Sequence, residues 1–140
     1  MIRIGDTVNL SSRLESLTKH YHVDILVTQD VVLTNSSVDQ NMLRRIGKVA
    51  VVGRQQAPWV YEIVHSHSNK KTLTKSTFEE GIEQMYEEES FNIARSVDCF
   101  RKVLEADPDD FVAGMRFQKL QELASDANLQ WNYEDRHDFK

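Results

Sequence analysis

The stretch Ile4-Gly5-Asp6-Thr7-Val8-Asn9-Leu10-Ser11-Ser12-Arg13-Leu14-Glu15 decides how the rest of the chain is read. Leu10, Leu14, Leu17 and Tyr21 follow one another at intervals of four, three and four, the apolar stripe of an amphipathic helix. Asn9, Arg13 and His20 each stand one position earlier and form a neighbouring stripe, with Asn9 and Arg13 side by side at i and i+4. Gly5 relaxes the turn that enters the helix, and Asp6 or Thr7 can cap the amides of its first turn. An amide and a permanently charged fork of donors at a helix start suit a polyphosphate or its transition state. The spacing by itself fits a surface Asn and Arg on an ordinary helix better than it fits a site.

Working outward, Val23-Asp24-Ile25-Leu26-Val27-Thr28 is a short β-rich run that reads as a buried strand. Gln29 to Leu33 suits a helical turn or short helix. Two further β-rich runs, Arg44-Arg45-Ile46-Gly47-Lys48-Val49-Ala50-Val51-Val52-Gly53-Arg54 and Val60-Tyr61-Glu62-Ile63-Val64, flank a turn region holding Gln55, Gln56, Ala57 and Pro58. Two such runs across a short polar loop predict a β-hairpin.

Taken in this order, the Gly5–Arg13 motif and the hairpin ending in Val60-Tyr61-Glu62-Ile63 resemble the C-terminal half of the catalytic domain of class III nucleotide cyclases, the adenylate and guanylate cyclases. The resemblance covers residues 2–64, close to half the chain. It implies an α+β fold: a partial class III cyclase sheet of ferredoxin-like type with a β-hairpin, followed here by an α-helical hairpin. It implies cyclic nucleotide biosynthesis from ATP or GTP, with release of pyrophosphate, in intracellular signalling. In such enzymes the motif Asn, here Asn9, orients the ribose, and the motif Arg, here Arg13, stabilises charge on the reacting phosphate. Gly5 and Asp6 form the substrate-side turn. A Lys commonly precedes the glycine of the family's VKG segment; Val52 stands there in this chain, and Arg54 is the remaining candidate for the triphosphate. The purine-selecting position falls on Ile2, so ATP and GTP are not distinguished.

The same resemblance implies Mg or Mn, because the family's reaction uses two divalent ions held by a pair of aspartates. Those aspartates belong to the N-terminal half of the family's domain. Asp6, Asp24, Asp30 and Asp39 sit in no metal motif of the family, so no metal ligand is assigned to this chain. The family's active site lies between two cyclase domains. The expectation is therefore a truncated cyclase that contributes the Asn/Arg half-site, is inactive alone, and works with a second cyclase chain or an N-terminal half. With an incomplete sheet, a dimer is expected.

Composition fits a globular protein: 40% of the 140 residues are hydrophobic and 28% charged. No apolar run approaches the length of a bilayer span and no signal peptide precedes the motif, which together point to a cytoplasmic chain. Residues 1–76 carry ten Lys/Arg against six Asp/Glu, and residues 77–140 seven against sixteen. The basic excess of the first part is too small to argue a nucleic-acid partner. The single Cys99 excludes an internal disulfide and sits in a helical pattern as a small apolar residue. His20-Tyr21-His22 and His65-Ser66-His67 lack the further ligands a metal centre needs.

The chain divides into residues 1–65, the cyclase-like half; residues 66–76, a polar linker without periodicity; residues 77–124, helices; and residues 125–140, a polar tail with Trp131, Tyr133 and Phe139. In the third part Phe78, Ile82, Met85 and Tyr86 make one apolar stripe, and Ile93, Val97, Phe100 and Leu104 another, with a connection about two residues long. Asp107-Pro108-Asp109-Asp110 breaks the pattern, and Val112, Met115, Leu120 and Leu123 are the core candidates of a third helix. Ser96, Phe100 and Pro108 resemble the back half of a tetratricopeptide repeat. A single repeat does not bury its own apolar face, so this part either caps the sheet or takes a protein partner. The second alternative reads the whole chain as a non-catalytic interaction or regulatory module working through its helical tail.

Overall fold

A computed structural model describes residues 14–34, 39–50, 56–64 and 69–135 of the chain. Its first described element, helix α1 (residues 14–21), carries the apolar stripe read from the sequence: Leu17 and Tyr21 are buried and Leu14 packs against them. The helix stops because His22 turns into the left-handed region at φ 55°, which lets the Val23 amide donate back to Thr18 O at 3.0 Å.

The sheet follows. Strand β1 (Leu26–Thr28) leads directly into helix α2 (Gln29–Thr34). A 3-10 turn (Gln40–Met42), capped by the Asp39 carboxylate on the Asn41 amide at 2.9 Å, starts β2 (Leu43–Lys48). Strand β3 (Trp59–Ile63) returns antiparallel to β2 and also pairs antiparallel with β1, giving the order β1-β3-β2. The β-rich run at 23–28 is strand only over Leu26–Thr28, and the two runs read as a hairpin pair as Leu43–Lys48 with Trp59–Ile63. Register sets Leu26 and Arg44 opposite Glu62, and Thr28 opposite Val60. Cross-strand partners share a face, so these five residues point the same way, and all are buried.

The pairing slips between Arg45 and Gly47, a bulge at which Gly47 takes φ 154°. A Cβ there would stand 2.8 Å from Arg116 Nη2. Only glycine lets that guanidinium reach the strand and donate to Ile46 O at 2.7 Å.

Three helices cover the buried face: α3 (Asn69–Tyr86), α4 (Ile93–Ala106) and α5 (Phe111–Ser125). Asn92 caps α4 on the Arg95 amide and Asp110 caps α5 on the Ala113 amide. Helices α3 and α4 cross closely at Gly81, where the Ser96 hydroxyl donates to Gly81 O at 2.8 Å and Phe78 meets Phe100 edge-on. Phe78, Ile82, Met85, Tyr86, Phe100, Val103, Val112 and Leu120 join Leu17, Tyr21, Leu26, Ile46, Trp59 and Val60 in one apolar core.

Two expectations need correcting. Helix α3 begins at Asn69, so residues 69–76 of the stretch read as a linker are helical. The signal was weak because that turn is polar and its one large apolar residue, Leu73, is 82% exposed. It is held instead by polar ties: Lys71 Nζ to Glu62 Oε2 at 3.0 Å, and Lys75 Nζ to Gln40 O at 3.0 Å. The connection from α3 to α4 is also longer than two residues, and contains a 3-10 turn at Glu88–Ser90. Beyond α5, the chain docks back: the Trp131 indole donates to Met85 O at 2.7 Å, and Asp135 forms a parallel bridge with Val49.

Candidate functional site

The residues assigned to substrate and catalysis, Gly5, Asp6, Asn9, Arg13 and Arg54, all lie outside the described residues. What the structure does show is how the end of the motif is held. Leu14 follows Arg13 directly in sequence and is the first described residue of α1, and α1 is anchored at its far end by Tyr21.

Tyr21 belongs to a polar knot inside the core. Its hydroxyl donates to Asp135 Oδ2, and the Tyr86 hydroxyl donates to Asp135 Oδ1 at 2.5 Å. Arg116, from α5, binds the same carboxylate with both terminal nitrogens, Nη1 to Oδ1 at 3.1 Å and Nη2 to Oδ2 at 2.8 Å. Its guanidinium also lies 5.3 Å from the Tyr21 ring centre and 5.1 Å from that of Tyr86. Burial, and then the Asp135 charge, push the Tyr21 phenol well above its ordinary range; burial does the same for Tyr86. Burial opposes the charge on Arg116, and Asp135 with the two tyrosines outweighs it, so the guanidinium is held firmly protonated.

A second buried network ties sheet to helices. Arg44 of β2 is fully buried, pairs with Glu62 of β3, and reaches the α5 cap Asp110 at 2.6 Å from Nη1. Its guanidinium lies 3.8 Å from the Phe78 ring centre. Lys71 of α3 takes the other oxygen of Glu62. The opposite side of the hairpin stacks cations on Trp59: Arg45 at 4.2 Å and Lys48 at 4.7 Å from its centroid, with Lys48 also 3.5 Å from Glu87. Beside them a polar cleft of about 640 Å³ opens next to the hairpin turn, lined by Lys48, Gln56, Trp59, Glu87, Glu88 and Tyr133 among others.

Sequence reasoning missed Arg116, Asp135, Arg44 and Glu62. Three of them carried a signal. Val112, Arg116 and Leu120 recur at four, so Arg116 sits on the apolar stripe of its helix. Glu62 lies between Val60 and Val64 on one side of a strand, and Arg44 two residues before Ile46. A charge on an apolar stripe announces a buried pair, though not its partner. Asp135, in irregular polar chain, carried no such signal.

The described residues do not fit a divalent metal. Among them no group of three His, Cys, Asp or Glu side chains converges. Asp39 caps a turn, and Asp24 and Asp30 are already engaged by other groups. His22 stacks on Phe111 with ring centres 3.7 Å apart, and His20 meets Tyr21 edge-on.

No family profile matches the chain, and no solved structure does. Curated proteins do. The chain is 36% identical over 73 residues to the adenylate cyclase, terminal-differentiation specific, of Dictyostelium discoideum, covering 51% of this chain and 3% of that protein. It is 46% identical over 61 residues to an adenylate cyclase of Anabaena cylindrica, covering 43% of this chain and 12% of that one. The matches thus span only a small fraction of either relative's length. Over about half of its own length, this α+β chain is related to adenylate cyclases.

Proposed function

We propose that residues 1–65 form the C-terminal half of a class III cyclase catalytic domain and that they supply the Asn9/Arg13 half-site for cyclic nucleotide formation from a nucleoside triphosphate. The observation that carries this reading is the similarity to two adenylate cyclases from distant organisms, together with the Gly5–Arg13 motif. In this role Asn9 orients the ribose, and Arg13 stabilises the charge that develops on the phosphate as the ring closes and pyrophosphate leaves. Gly5 and Asp6 shape the turn beneath the phosphates, and Arg54 extends the basic side of the site. The reading takes its metal-holding carboxylates from another cyclase domain, as a second chain or an N-terminal half, which is where the resemblance to class III cyclases puts them. The complex is inferred to be a dimer of cyclase domains with the site between them.

The test is cyclic nucleotide production from ATP and from GTP, with the chain alone and after adding a separately made N-terminal cyclase half. Activity is expected only on mixing, and the better substrate identifies the purine. Arg13→Ala should lower the mixed activity about a hundredfold or more, as removal of a transition-state charge donor does. Unchanged turnover in that variant would sink the assignment.

A further inference from the structure

We propose that Asp135 is a positioning residue for the half-site: through the Tyr21 hydroxyl it fixes helix α1, which follows the Asn9–Arg13 motif directly in the sequence, and so couples the helical tail to the proposed cyclase chemistry. The inference rests on the function proposed above.

Asp135 is fixed from two sides. Its backbone joins the end of the hairpin strand, the Ala50 amide donating to Asp135 O at 2.8 Å and the Asp135 amide to Lys48 O at 2.6 Å. Its side chain faces inward to three helices at once: Tyr21 on α1, Tyr86 on α3 and Arg116 on α5. A carboxylate has about four lone-pair positions, and these four donors occupy them. The segment leading to it behaves as an external strap: residues 126–130 are exposed, and the first inward anchor is Trp131. Tyr21 is the contact by which this strap holds α1, whereas Tyr86 binds the same carboxylate from a helix with no part in the motif. The two hydroxyls therefore separate positioning from plain stability.

The test compares Tyr21→Phe with Tyr86→Phe in the full chain. Each variant deletes one hydroxyl and leaves the Arg116–Asp135 pair in place, so both should fold. The first readout is amide exchange of residues 14–21 against residues 93–106. Tyr21→Phe should speed exchange in α1 about tenfold while α4 is unaffected, since a hydrogen bond to a charged group is lost at α1 alone. Tyr86→Phe should leave α1 exchange unchanged. The second readout is activity mixed with an N-terminal cyclase half. Tyr21→Phe should lower kcat more than it raises KM, as misplacement of a transition-state group does, and Tyr86→Phe should not. Equal effects of the two variants on α1, or none from Tyr21→Phe, would overturn the proposal. If the unaltered chain is inactive in every mixture, the functional reading fails by itself, and the exchange comparison still decides whether Asp135 holds α1.

Discussion

Tyr21 and Tyr86 share one carboxylate with Arg116, and that sharing sets how the protein responds to alkali. Both phenols are raised above the ordinary tyrosine value near 10, by burial first and then by Asp135. A group whose folded value exceeds its unfolded value contributes stability that is complete below the unfolded value. That stability is lost as pH climbs towards the folded one. The fold should therefore hold its full stability up to about pH 10 and then weaken steadily. Phenolate absorbance at 295 nm and far-UV circular dichroism, recorded together during an alkaline titration, check this. The signals of Tyr21 and Tyr86 should appear with the loss of helix, and Tyr86→Phe should make the decline in stability above pH 10 shallower. Ionisation of both tyrosines in a chain that keeps its helical signal would contradict the knot. This residue-level chemistry was only half legible in the sequence. Arg116 interrupts an apolar stripe and so advertises burial, whereas Asp135 lies in a polar tail where only the folded chain reveals its partners.

At the scale of elements, two glycines, one in α3 and one in α5, make opposite predictions. A Cβ at Gly81 would meet Cys99 Cβ and the Phe100 ring at 3.0 Å, where α3 and α4 approach closely enough for Ser96 to reach Gly81 O. Gly81→Ala gains helix propensity but forces the two helices apart, and should destabilise by about 1–3 kcal/mol. A Cβ at Gly114 meets nothing within 4 Å, so Gly114→Ala should stabilise by roughly 0.5–1 kcal/mol. Urea unfolding of both variants measures the pair, and a stabilised Gly81→Ala would show that the crossing is looser than described. The elements were the most legible level of this protein. β-rich composition named the hairpin and the strand seen at Leu26–Thr28, and four-three spacing named the stripes of α1 and α3; in α4 it found Phe100, whereas the other buried residues there are Ser96, Cys99 and Val103 rather than Ile93, Val97 and Leu104. The first turns of α3 were hidden because Lys71 and Lys75 hold them by polar ties to Glu62 and Gln40, which leave no hydrophobic period. The proposed site itself was legible only as a motif: Asn9 and Arg13 are named by resemblance, and their geometry lies outside the described residues.

At the scale of the whole molecule, the question left by the sequence is whether the helices cap the sheet or work as a separate module. The buried face of the sheet answers in favour of a cap. Ile46 and Val60 lie in the same apolar core as Phe78, Phe100 and Val112. Arg44 is fully buried, and Asp110 at the start of α5 provides one of its two carboxylates. Without the helices, a guanidinium and a carboxylate designed for burial would face each other on an uncovered apolar sheet, and breaking one side of such a network costs about 3–5 kcal/mol. That is a large share of the stability of a domain this size. A chain ended at residue 76 should therefore lack a cooperative thermal transition, and it should fail to support cyclic nucleotide formation in any mixture where the full chain succeeds. A separable module predicts the reverse, with residues 1–76 unfolding cooperatively and retaining the mixed activity. Calorimetry and the mixing assay on that shortened chain distinguish the two, and a sharp transition in it would show that the sheet needs neither Asp110 nor the helices that bring it there.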